Sequence, residues 1–84
     1  MAYFKLTAEH VARSQAFDAM AAWESAGIQH PAVWMDETFT NFFHAVLEGT
    51  SEDASAAQRI VYGLNGGAFC SVEQVTEAEV ENYL

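Results

Sequence analysis

Residues 60–72 read "IVYGLNGGAFCSV", and the way this stretch is read decides the fold. Taken as helix, Ile60, Val61 and Leu64 continue an apolar stripe begun at Ala57, and Asn65, Gly66 and Gly67 stop it. Taken as strands, "IVYGL" and "AFCSV" are the arms of a small hairpin around Asn65 to Gly67, because Asn-Gly between apolar runs suits a tight turn. "AYFKL" then becomes a third strand and the fold is α+β. The remainder of the chain favours the first reading. It predicts one all-α domain over residues 1–84, a compact bundle of three to four short helices, with the α+β arrangement as the alternative.

Working upstream, "TSEDAS" supplies Thr50 or Ser51 as an N-cap and acids in the first turn, where they complement the helix dipole. Pro31 suits the opening of the preceding helix and Gly49 its end, although Asp36 is a second candidate for its N-cap. Met35, Phe39, Phe42, Phe43 and Val46 fall at helical spacing, which predicts at least two of the three Phe buried against the first helix. That first helix is expected from Thr7, as N-cap, to Ala26, stopped by Gly27. Ala16, Ala19, Met20 and Trp23 lie on its inner face and Phe17 among its polar residues. Tyr3, Phe4 and Leu6 are expected to fold over Phe17, and Trp34 to cap the core.

Downstream, Ser71 with Gln74 forms one capping box and Thr76 with Glu79 a second, the latter flanked by Val75 and Val80 as a hydrophobic staple. A helix begun at Val72 would carry Glu73, Glu77 and Glu81 as an i, i+4, i+8 row of like charge. Such a row costs a few tenths of a kcal/mol per pair, ~0.2–0.5.

Charge narrows the function. Twelve acids stand against Lys5, Arg13 and Arg59, a formal net charge of -9, and between the two arginines seven acids and no base occur. Three cations cannot neutralise a phosphate backbone, so direct binding of nucleic acid is not expected, nor is attraction to anionic membrane surfaces. A basic protein is the favoured partner. "MAYFKLTAEH" lacks a basic segment followed by a long apolar run, which leads to a soluble, cytoplasmic protein as the expectation. Cys70 is the only cysteine, so no intrachain disulfide is possible, and a small buried side chain is its expected role.

No phosphate-binding loop, nucleophile elbow or cofactor motif is present, so the chain is read as a non-enzymatic protein without a cofactor. His44 and Glu48 would share a helical face with Asn41 and Glu37. Without a second histidine at ligand spacing no metal is assigned, and His44 is read as a solvated or capping residue.

A small acidic protein without catalytic motifs resembles the DNA-mimic inhibitors of bacteriophages and mobile elements, among them anti-CRISPR proteins. "TSEDAS" and "VTEAEVENYL" are its densest acidic stretches. The resemblance implies an inhibitor whose carboxylates imitate phosphates and occupy the basic, nucleic-acid-binding surface of a protein such as a CRISPR-Cas component. The candidate contact residues are Glu73, Glu77, Glu81, Glu52 and Asp53. The alternative function is a helical interaction module, an anti-activator or a homodimer, that binds through apolar residues such as Phe17, with Trp34 a further aromatic anchor.

Overall fold

The computed structural model describes residues 2–84 and overturns the all-α helical bundle. The chain runs β1 (Ala2–Glu9), α1 (Arg13–Ser25), β2 (Gln29–Met35), β3 (Phe43–Gly49), α2 (Ser51–Leu64), β4 (Phe69–Val75) and α3 (Glu77–Val80). The four strands form one antiparallel sheet in the order β2-β3-β1-β4. This βαββαβ order is that of the split βαβ, or ferredoxin-like, arrangement.

The physical reason for the correction is a period of two where a period of 3.6 was read. In β1, Phe4, Leu6 and Ala8 are buried while Tyr3, Lys5 and Thr7 are half-buried on the other face, so Thr7 is a mid-strand residue and no helix cap. In β3, Phe43, Ala45 and Leu47 turn inward and alternate with His44, Val46 and Glu48. The expected stripe is thereby split. Phe43 is fully buried, Phe42 is half-buried, and Phe39 is 55% exposed in the turn between β2 and β3. Pro31 opens no helix; it lies in β2, an outer strand, where a missing N–H is tolerated.

Both long helices cover one face of the sheet. Trp23, Ala19 and Ala16 of α1 and Ala54, Ala57 and Val61 of α2 pack with Phe4, Leu6, Phe43, Ala45 and Leu47 in one core. Alanine lets the helices approach closely, and the volume comes from Trp23 and Phe43, whose rings are 6.1 Å apart. Trp23 also donates its indole N–H to the Ala57 carbonyl of α2 at 3.2 Å. Phe17 stays outside the core at 59% exposure, and the expected cover is elsewhere, since Phe4 and Leu6 are core residues of β1.

The segment that decided the reading divides in the middle. Ile60 to Leu64 is helix, Asn65 to Gly67 is a turn closed by Asn65 Oδ1 accepting from Gly67 N–H at 3.0 Å, and β4 begins at Phe69. Of the hairpin alternative, β1, β4 and the α+β class are present, but the "IVYGL" strand is not. Thr50 caps α2 as expected: its side chain accepts from Asp53 N–H at 3.1 Å while the Asp53 carboxylate accepts from Thr50 N–H at 2.9 Å. Gly49 makes room for this exchange, because a Cβ there would run into the Asp53 side chain. Gly27, at φ 75°, stops α1 in the left-handed region.

Phe43→Ala is expected to destabilise the domain by about 3–5 kcal/mol, whereas Phe39→Ala should stay within about 0.5 kcal/mol of wild type. Urea denaturation of both variants checks the strand assignment; equal losses would restore the helical stripe.

Candidate interaction surface

Folding gathers carboxylates at one end of the sheet, where β1 begins and β3 and β4 finish. The register sets Ala2 opposite Gly49 and Tyr3 opposite both Glu48 and Val75. α2 and α3 therefore both start at this edge, carrying Glu52 and Asp53 on one side and Glu77 and Glu79 on the other. A shallow groove lined by Tyr3, Thr50, Gln74 and Glu77 lies between them. A second, beside the end of α1, is lined by Glu24, Gln29, His30 and Glu48. Lys5, Arg13 and Arg59 sit respectively in mid-strand, at the opposite end of α1 and two turns into α2. The field is felt by Tyr3, whose hydroxyl pKa is raised chiefly by Glu48, then by burial and Glu77.

The carboxylates of this end are not equivalent. Asp53 caps Thr50, and Glu79 accepts from the Thr76 N–H at 3.2 Å and hydroxyl at 3.0 Å, which realises the second capping box. Glu48, Glu52 and Glu77 make no side-chain hydrogen bond and meet no lysine or arginine within 4.0 Å among the described residues, where the one contact between oppositely charging groups is His44–Asp36, an ion pair only when the imidazole is protonated. They are free to meet a partner.

The predicted contact set is thus only partly assembled. Glu77, Glu52 and Asp53 share the acidic end. The i, i+4, i+8 row does not exist, because residues 69–75 are strand and the helix starts after Thr76. Glu73 stands in the register position opposite Lys5 in mid-sheet, and Glu81 lies exposed in the turn after α3. The Ser71–Gln74 capping box is absent for the same reason. Glu24 and Glu48 join the site unforeseen, since only the pairing of β3 with β1 and with β2, which follows α1, reveals them.

The sheet face away from α1 and α2 is partly covered by the C-terminal tail. Val80 is buried against Val46 and Val75, and Tyr83 stacks on Trp34 at 5.3 Å with Lys5 Nζ 5.1 Å from its ring centroid. Trp34 stacks in turn on His44, also at 5.3 Å. Instead of capping the main core, Trp34 therefore anchors the tail. His44 and Glu48, expected on one helical face, are four residues apart along a strand, roughly 13 Å. No group of His, Cys, Asp and Glu among the described residues has metal-holding geometry.

His44 bridges elements: Nε2 lies 3.0 Å from Asp36 Oδ1 and Nδ1 3.4 Å from the Thr7 hydroxyl. With its ring stacked on Trp34 and both nitrogens engaged, the imidazole works as a brace between β1, β3 and the β2–β3 turn. Asp36 Oδ2 accepts from Thr38 and Phe39 N–H, both at 2.9 Å, and so shapes that turn. Burial pushes the Cys70 thiol up to about 12, which leaves it protonated and unreactive at neutral pH.

Phe17 occupies a different place, the rim of an apolar trough between α1 and β2, with the Arg13 guanidinium 6.0 Å from its ring centroid. It shares α1 with Glu24 but lines a different groove from the acidic end. No helix among the described residues is long and apolar enough to cross a membrane. No protein-family model matches the chain, and no curated protein matches it.

Asp36 supplies a pH test. The hydrogen bond from His44, then those from Phe39 and Thr38, lower its pKa from 3.8 to about 2. A carboxyl depressed on folding stabilises the native state above its ordinary pKa and loses that contribution as pH falls through the folded value. Asp36→Asn should therefore melt below wild type at neutral pH, and the gap should close as pH falls from 3.8 toward 2. A constant gap across that window, read by circular dichroism, would show that ionisation of Asp36 adds nothing to stability.

Proposed function

We propose that this domain is a non-enzymatic inhibitor that sets its acidic end against a basic, nucleic-acid-binding surface of a protein partner in the cytoplasm and blocks it. In its sharpest form it is a phage DNA mimic acting on a CRISPR-Cas component. The observation that supports this reading is the convergence of Glu24, Glu48, Glu52 and Glu77, from four different elements, on one end where Arg59 lines a groove with Glu52 but, among the described residues, pairs with none of the four within 4.0 Å. Keeping like charges together opposes folding, and a basic cleft relieves that repulsion while the field speeds its approach. The same charge keeps the domain itself off nucleic acid. Fold alone adds nothing here, because the split βαβ arrangement hosts unrelated functions.

A second reading, binding through apolar surface, draws on one specific observation. Phe17 is 59% exposed at the rim of a trough that holds Met20, Val33 and Met35. Salt distinguishes the two, since charge contacts at a surface are screened over roughly 8–10 Å at physiological ionic strength and apolar contacts are not.

The test is competition. A panel of purified CRISPR-Cas effector complexes is mixed with labelled target DNA, and the domain is added. Electrophoretic mobility should show DNA displaced from at least one complex, with displacement lost at high salt. Glu48, Glu52 and Glu77 changed together to Gln should leave the fold intact, because none of the three side chains bonds to another among the described residues, and should weaken displacement by about tenfold or more. Displacement that survives both salt and the triple variant contradicts the proposal.

A further inference from the structure

The free edge of β2 and the trough beside it form a second surface with its own chemistry. β2 ends the sheet on its side, and its pairing with β3 sets Ala32 opposite Val46, Trp34 opposite His44 and Met35 opposite Phe43. Asp36 N–H donates to the Phe42 carbonyl at 3.0 Å, continuing that register past the end of the strand. Backbone bonding in an antiparallel pair alternates, so Trp34 and Ala32 exchange bonds with β3, whereas the N–H and C=O groups of Val33 and Met35 point out from the edge. The side chains of these same two residues lie on the helix face, opposite Ala45 and Phe43, and line the trough.

Geometry and chemistry agree over that short edge. The trough holds about 330 Å³ and is walled by Arg13, Ala16, Phe17 and Met20 of α1 facing Val33 and Met35 of β2. An added strand that pairs with Val33 and Met35 would send alternate side chains into this space, the usual division of labour in strand addition: backbone bonds hold, side-chain pockets select. Pro31, without an N–H, limits the offer at the other end of the edge.

The occupant follows from charge. A second copy would bring another net charge of -9. In symmetric antiparallel pairing about Val33 it would also set its Pro31 opposite Met35, leaving one Met35 carbonyl unbonded on each side. The Gln29–Pro31 end of the edge is flanked by Glu24 and Glu48. The Met35 end lies near the start of α1, where Arg13 has no carboxylate within 4.0 Å among the described residues. We infer that β2 accepts, as a fifth strand, an extended segment of a partner protein with apolar side chains at alternate positions and Lys or Arg at the end that lies over Gln29 to Pro31. The inference takes from the proposed function only the sign of the partner's charge.

Short synthetic peptides alternating valine with threonine test it, carrying lysines at the N-terminal end, at the C-terminal end, or nowhere. Amide hydrogen exchange by NMR reads the site. One lysine peptide should slow exchange at Val33 and Met35 and leave Ala32 and Trp34, already bonded to β3, unchanged; which peptide does so gives the strand direction. Val33→Pro removes an outward N–H without touching the β3 ladder and should weaken binding roughly tenfold. Phe17→Ala, at an exposed position that does not threaten folding, should weaken it several-fold. Glu24→Gln with Glu48→Gln should bring the lysine peptide down to the affinity of the neutral one. If the lysine-free peptide binds as well as the others, the strand site stands and the electrostatic reading of the partner falls. Absence of protection at Val33 and Met35 with every peptide overturns the strand site, as does protection of both amides in a self-associated protein without peptide, which would make a second copy the occupant.

Discussion

Trp23 is the residue on which the architecture turns. It is fully buried, meets Phe43 of β3 through its ring, and gives its indole N–H to Ala57 of α2. His30 of β2 is a further aromatic neighbour, 5.6 Å away. One side chain therefore connects both long helices with two strands. The constraint behind this is electrostatic: with three cations against twelve acids, surface ion pairs cannot hold the layers together, so burial and a few directed bonds must. Ala16, Ala19, Ala54 and Ala57 let the helices come close enough for a single indole to span them.

The same arithmetic leaves the surface carboxylates available. Among the described residues no carboxylate meets a lysine or arginine within 4.0 Å, and the hydrogen bond between His44 and Asp36 serves the β2–β3 turn. Asp53 and Glu79 are spent on capping, which local sequence spacing alone demands. Of the acids without a bonding role among the described residues, Glu48, Glu52 and Glu77 are brought together by pairing of β1 with β3 and β4. That convergence, in place of the density of acids in any one stretch, is what gives the acidic end its meaning.

Local signals were legible in the sequence and long-range ones were not. The caps at Thr50 and Thr76, the stop at Gly27 and the inward Ala57 and Val61 all follow from spacing within a few residues, and all are present, whereas the cover expected over Phe17 is not. The sheet was missed because its strands carry short alternations that also satisfy a helical wheel. Phe39, Phe42, Phe43 and Val46 fit 100° per residue, yet Phe43, Ala45 and Leu47 fit alternation better, and Asp36 shapes the turn that separates the two. In "AYFKLTAE" the alternation Phe4, Leu6, Ala8 was the available clue. The acidic row through Glu73, Glu77 and Glu81 failed with the helix that carried it, while Glu24 and Glu48 entered through strand register, a relation that no stretch of sequence displays by itself.

The central claim is that the carboxylates of Glu48, Glu52 and Glu77 are the contact, and zero-length carbodiimide cross-linking reads it most directly. The domain is linked to the effector complex it displaces from DNA, and the joined peptides are sequenced by mass spectrometry. The account predicts bonds from Glu48, Glu52 or Glu77 to lysines of the nucleic-acid groove. Links confined to Asp18 or Glu73, with none at the acidic end, would contradict it.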